Sequence, residues 1–301
     1  MKQLWISWKQ YCDRDMDSRP LALVRILVPL MVFLDMLRLV QLGLVEVLFR
    51  PWEAGGISSF ADSTAFIHSL SPEWGGLFAF ALTLICMTFV GLGRYMRLAI
   101  VVGCLAYAQL GHLYPPGDRA IDRILRCALL FLLFSRADEI WAWNSKRRAT
   151  RIPAWPAQGI RFMLVMIYMA AGISKVAQQP NWLAIDGMPV LYRIMTDPLA
   201  SNLDPEAWTW AFPLFRFGGW ATIFLEVGAF LILTRWCRWW AIGGALMHLG
   251  IAMTMTLGMF SWGMLALYPL LLSPFFLEGA SGKKRSEDLP ELPRSDVMAL
   301  D

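Results

Sequence analysis

Long apolar runs, broken only by short polar links, constrain this chain more than any other feature. Residues 20–43 carry three charges, Arg25, Asp35 and Arg38, and residues 74–92 carry none. About 20 apolar residues in a helix are enough to cross a bilayer core. In hydrocarbon every backbone N–H and C=O must find its partner within the protein, which favours helices. The runs place spans at 20–43, 74–92, 98–114, 120–136, 157–177, 214–234, 239–257 and 261–278. The expected fold class is therefore all-α: a polytopic integral membrane helical bundle of about eight transmembrane helices. Composition agrees. The chain of 301 residues is 57% hydrophobic and 17% charged, against roughly 45–50% and about 25% in soluble domains. That excludes an ordinary soluble enzyme, a disordered chain and a disulfide-stapled secreted module.

The basic residues set the orientation. Seventeen of the 27 fall on one side: Lys2, Lys9, Arg14, Arg19, Arg94, Arg97, Arg136, Lys146, Arg147, Arg148, Arg151, Arg235, Arg238, Lys283, Lys284, Arg285 and Arg294. Only Arg50, Arg119 and Arg193 fall on the other. Positive residues stay inside, so both termini are expected in the cytoplasm. The number of spans is then even, and six or ten would satisfy the same parity as eight. The domain reading follows. Residues 1–19 form a cytoplasmic interfacial segment, with Leu4, Trp5, Trp8, Tyr11 and Cys12 at helical spacing. Residues 20–278 form the transmembrane domain. Residues 279–301, rich in Gly, Ser, Pro and charge, form a disordered cytoplasmic tail. No cleavable signal peptide is expected, because the first apolar run lacks a small-residue cleavage site and continues too far.

The five cysteines are scattered, with no C-x-x-C pair, so neither a disulfide nor a structural metal site is expected. There is no H-x-x-H, no H-E-x-x-H, no P-loop, no G-x-G-x-x-G and no G-x-S-x-G. The short basic loop at 146–151 follows from topology and carries no sign of nucleic-acid binding.

Function must then rest on polar groups inside the spans, which are expensive there unless paired or solvated. They are Arg25, Asp35, Arg38, Asp122, Arg123, Arg126, Arg161, Lys175, Glu226 and His248, with His112 at a span end. Arg25 reads as a structural ion pair or carbonyl contact, and Arg161 as a snorkelling side chain. Asp35 and Arg38 stand at i, i+3 and read as a pair. Asp122 and Arg126 share a helix face at i, i+4. Lys175 follows the small-residue stretch Ala170-Ala171-Gly172, where helices can pack closely. A desolvated amine gives up its proton more readily and can serve as a base, while a lysine so near a span end can equally reach the headgroups. Glu226 reads as protonated or paired with an arginine, and His248 as an interhelical hydrogen-bonding group.

Three segments together resemble a known family. They are Tyr168 to Lys175 followed by Trp182 and Asp186-Gly187, then His248-Leu249 through Leu257 to Met264, and Gly117-Asp118 through Ile124-Leu125-Arg126. Their order and spacing over roughly residues 10–278 are similar to the HTTM domain, the membrane domain shared with vitamin K-dependent γ-carboxylases. In those enzymes a lysine at the position matching Lys175 is the proposed base that deprotonates vitamin K hydroquinone. Oxygen then yields a strongly basic alkoxide that removes a glutamate γ-proton so that carbon dioxide can add. Asp122-Arg123-Ile124-Leu125 stands where the carboxylases carry a histidine-containing motif. With the chain ending soon after its last apolar run, no counterpart of their lumenal propeptide-binding module is expected, and the compact chain is most similar to bacterial members.

The resemblance implies a quinol- or lipid-dependent enzyme, carboxylase- or epoxidase-like, in a bacterial cytoplasmic membrane. Its intramembrane site would face outward. Lys175 would be the base, with His248 beside it as a catalytic group. His112, Asp122, Arg123, Arg126, Trp182 and Glu226 would bind substrate. The implied cofactor is a reduced quinone of vitamin K or menaquinone type, without a metal. The implied partners are membrane lipids and a lipid-soluble quinone or peptide substrate. The competing reading is a non-enzymatic membrane carrier, or an accessory factor for an exported or modified peptide.

Overall fold

The computed structural model describes residues 15–57, 66, 71, 73–143, 151–178, 180–197, 204 and 206–272. Residues 1–14 of the expected interfacial segment 1–19 and the tail at 279–301 lie outside the described residues. Helices dominate. In chain order they are α1 (Arg19–Gln41), α2 (Leu44–Phe49), α3 (Gly75–Leu92), α4 (Met96–Leu113), α5 (Ala120–Leu133), α6 (Trp155–Gln178), α7 (Val190–Met195), α8 (Phe212–Val227), α9 (Cys237–Thr254) and α10 (Phe260–Leu265). A 3-10 turn at Thr209–Ala211 leads into α8, and another at Gly228–Leu233 prolongs it. One short antiparallel ladder, β1 (Asp15–Asp17) with β2 (Arg151–Pro153), departs from the all-helical expectation and ties the start of α1 to the start of α6.

Each of the eight expected spans begins or lies on a helix. Among the described residues, five helices are long and apolar enough to cross a membrane: Arg19–Gln41, Gly75–Leu92, Met96–Leu113, Trp155–Gln178 and Thr209–Leu233. The helix at 120–136 is shorter than expected. Its 14 residues reach about 21 Å, less than the roughly 30 Å of a hydrocarbon core.

Side-chain exposure matches a lipid-facing surface. Phe224 is 77% exposed and Met253 86%, on helices with few charges. A soluble domain would not leave rows of such side chains to water. The inward faces form one continuous core that runs from Leu21 and Val28 on α1 through Ile100, Leu129 and Leu164 to Leu271. A smaller core joins Tyr192 and Met195 on α7 to Ala211 and Phe215.

Arg25 is wholly buried in α1, and the structure bears out its expected carbonyl contacts. Its guanidinium donates to the carbonyls of Val90 (3.2 Å) and Gly91 (2.6 Å), at the end of α3. It also donates to those of Ile140 (3.3 Å) and Trp141 (2.8 Å), in the turns after α5. The carbonyls of a last helical turn have no intrahelical partner, and a cation there also complements the helix dipole. Gly93 ends α3 at φ +68°, and a Cβ there would lie 2.5 Å from the Arg25 Nη1. Glycine is therefore required twice, for the left-handed turn and for the approach of the guanidinium. Arg161 plays a similar part on α6 by donating to the Leu270 carbonyl.

Replacing Arg25 with Leu should strand the carbonyl oxygens of Gly91, Ile140 and Trp141, and destabilise the folded protein by about 3 kcal/mol or more, as expected when one side of a buried charged contact is removed. Thermal unfolding in a neutral detergent checks this. A midpoint equal to the wild type would show that the clamp is not needed.

Candidate functional site

Three polar groups occupy the apolar bundle. The first joins α6 to α8. Lys175 Nζ donates to both carboxylate oxygens of Glu226, each at 2.7 Å. Glu226 is buried, and about a quarter of the Lys175 side chain is accessible. The ammonium also lies 5.4 Å from the ring centroid of Trp182, within cation–π range. Gly172, one turn before Lys175, permits the pairing. A Cβ there would stand 2.9 Å from the Glu226 Cβ and from the Val227 backbone nitrogen, so only glycine lets α6 and α8 approach this closely. Glu226 was expected to be protonated or paired with an arginine, and the structure pairs it with a lysine.

The second group joins α6, α9 and the segment after α10. The Tyr168 hydroxyl lies 2.6 Å from His248 Nε2 and 3.0 Å from the Tyr268 hydroxyl. Trp240 stacks edge-on against Tyr168 at 4.9 Å and donates its indole N–H to the Leu225 carbonyl. His248 is 1% exposed, and its Nδ1 has no partner among the described residues. Its expected interhelical hydrogen bond is present. Tyr168, Gly172 and Lys175 follow at i, i+4 and i+7, so one face of α6 presents both polar groups.

The third group lies where α1 ends and α5 begins. Arg119 bridges Asp35 of α1 and Asp122 of α5. Asp122 also accepts the Arg119 backbone N–H at 2.9 Å, the reach-back half of a capping box, and the Tyr107 hydroxyl at 2.6 Å. Asp118 accepts from Arg123 (2.9 Å) and Arg126 (2.7 Å). Burial works to raise the Asp118 pKa, but the hydrogen bonds from Arg123 and then Arg126 outweigh it and hold the carboxyl below its ordinary range. Arg126 also lies over the Tyr107 ring at 5.2 Å. The expected Asp35–Arg38 pair does not form. Arg119, fixed at the N-terminus of α5, reaches Asp35 instead, while Arg38 is exposed and borders the same cavity as Asp35.

The expected site residues thus divide. Lys175, Trp182 and Glu226 come together, and His248 joins the tyrosines one face-length down α6. Asp122, Arg123 and Arg126 meet around Arg119 and Asp118 in a group that shares no contact with Lys175. His112 is exposed and makes none of these contacts. Tyr168, Tyr268 and Tyr107 were assigned no role from the sequence, because a tyrosine in an apolar run does not show its polar partner. The seven-residue spacing from Tyr168 to Lys175 was the available signal.

An apolar groove of about 640 Å³ runs between α8 and α9. Its lining includes Leu225 and Met247, the chain neighbours of Glu226 and His248. Thr222 and Thr254 also line it, but their hydroxyls donate to the carbonyls of Gly218 and Gly250 within their own helices. The groove therefore suits hydrocarbon.

The HTTM domain family model matches residues 13–275, nearly the whole chain. The chain belongs to the HTTM domain family. Neither a curated protein nor a solved structure matches it. In this HTTM protein the family match and the long apolar helices together establish an integral membrane protein.

Tyr168→Phe should remove the shared hydroxyl and leave His248 Nε2 and the Tyr268 hydroxyl without it in a buried site. A loss of about 1–3 kcal/mol in unfolding free energy is expected, read by chemical denaturation in mixed micelles. Unchanged stability would mean that the hydrogen bonds are not formed.

Proposed function

We propose that this HTTM protein is a quinol- or lipid-dependent membrane enzyme, related to the membrane core of vitamin K-dependent γ-carboxylases, with Lys175 as its base. In this reading the chain crosses the bilayer eight times with both termini in the cytoplasm, and its site faces the outer leaflet. The observation that carries it is the Lys175–Glu226 pair, with about a quarter of the lysine side chain accessible and its ammonium over the Trp182 ring, together with an apolar groove lined by Leu225, the chain neighbour of Glu226.

A lysine that faces a carboxylate holds its proton, so it cannot take another. Transfer of that proton to Glu226 leaves a neutral amine beside a neutral acid, an exchange that a low-dielectric site makes less costly because no charge remains to be solvated. The neutral amine would serve as the base for an O–H proton of a reduced quinone, and the ammonium so formed would hold the oxygen that lost it. The reduced quinone, when bound, would supply the electrons for reaction with oxygen. Trp182 offers its face to the quinone ring or to the ammonium, and the groove holds a hydrocarbon tail. His248, fixed by Tyr168, would polarise the substrate as the second catalytic group. Asp122, Arg123, Arg126 and His112 would meet the polar part of a substrate at the outer entrance. A reduced quinone of vitamin K or menaquinone type is the cofactor this chemistry calls for.

The test uses purified protein in lipid nanodiscs and follows oxygen-dependent consumption of a reduced menaquinone. Lys175→Ala should lower the rate by about 100-fold or more, the range of a lost acid–base group. Because that variant leaves Glu226 unpaired, the double variant Lys175→Met, Glu226→Gln should be equally inactive while retaining the wild-type melting temperature. Full activity in either variant would end the proposal.

A further inference from the structure

The third polar group lines a cavity of about 250 Å³ that shares only Asp122 with the catalytic and substrate-binding residues proposed for the enzyme. Asp35, Arg38, Asp118, Arg119 and Asp122 face it, and Leu39, Leu42, Leu48, Phe49, Leu110 and Tyr114 supply its apolar wall. The charges do not balance. Arg119 answers Asp35 and Asp122, and Arg123 and Arg126 answer Asp118. Nearby Glu46 and Arg50 pair with each other. Four guanidinium groups, Arg38 included, thus meet three carboxylates. The surplus cation is Arg38, whose guanidinium takes part in no hydrogen bond or ion pair among the described residues.

A cation at the mouth of a small, apolar-walled cavity is complementary to an oxyanion carried on a hydrocarbon chain. At about 250 Å³ the space is smaller than the roughly 300–1,000 Å³ of whole-ligand pockets. It fits the charged end and first methylenes of an amphiphile, whose chain would continue over exposed Leu42. Gly258 keeps the far wall open to Arg119, because a Cβ there would lie 3.0 Å from the Arg119 Nη1. The guanidinium of Arg119 therefore borders the cavity while staying bonded to its two carboxylates.

We propose that this cavity binds the anionic head of a membrane amphiphile, with Arg38 as its counter-charge. A free carboxylate and a lipid phosphate share that chemistry. The site has no residue in common with the Lys175–Glu226 group, and the inference does not depend on the reading given for that group.

Titration followed by native mass spectrometry in a neutral maltoside detergent tests it with three probes: oleate, dioleoyl phosphatidylglycerol and uncharged monoolein. Oleate, phosphatidylglycerol or both should bind more tightly than monoolein. Arg38→Gln should weaken the charged probe that binds by about tenfold or more, the scale of one charge-assisted contact. Arg38→Lys should keep most of the affinity. Preference for oleate would assign the site to a free carboxylate, and preference for phosphatidylglycerol to a phospholipid head. Arg38 is exposed, so the Arg38→Gln protein should melt with the wild type. Leu42→Glu, which sets a like charge at the mouth, should weaken binding in the same way. Binding of monoolein as tight as either charged probe would overturn the proposal, and so would wild-type affinity in Arg38→Gln.

Discussion

A charge inside an apolar bundle must be answered inside that bundle, and the architecture of this protein follows from how each charge is answered. The Lys175–Glu226 pair is the clearest case. It forms only because Gly172 lets α6 and α8 approach until a methyl group would not fit between them. That same approach sets the line along which Tyr168 reaches His248 and Tyr268. Arg25 is answered differently, by the carbonyls of two chain segments, so it needs no carboxylate at all. Asp35 and Asp122 share one guanidinium, which joins α1 to α5.

These solutions differ in what they leave accessible. Arg25 is sealed, and its donors are directed at backbone atoms that cannot move away. It holds the bundle and has nothing to offer a ligand. Lys175 is partly open. Breaking a buried pair costs more than forming it gains, so a pair of this kind adds little net stability. Well-packed apolar side chains would serve stability as well. An ion pair kept where a helix faces hydrocarbon is better explained by chemistry than by folding.

Much of the fold was legible because hydropathy is local. A run of twenty apolar residues announces a helix without reference to the rest of the chain, and the long helices fall where those runs lie. The departures come from long-range or very short features. Asp35 finds Arg119 across 84 positions, and no spacing rule reaches that far, whereas the i, i+3 rule suggested Arg38. The three-residue strands Asp15–Asp17 and Arg151–Pro153 are too short to show alternation. At the site, Lys175 was marked by the small residues before it, but its partner depends on which helix packs against α6. Tyr168 and Tyr268 were hidden, since a tyrosine in an apolar run looks like core until its hydroxyl meets another polar group. The membership of the chain in the HTTM domain family was legible for a further reason: three weak motifs kept their order and spacing.

The central claim is that Lys175 and Glu226 form a place where a reduced quinone exchanges a proton. The most direct measurement is an experimental structure of the protein in lipid nanodiscs with a reduced menaquinone present. The account predicts density for the quinone ring between Lys175 and Trp182, with the amine turned from Glu226 toward a quinone oxygen and the tail in the groove between α8 and α9. A closed Lys175–Glu226 pair with the quinone bound elsewhere, or not bound at saturating concentration, would contradict it.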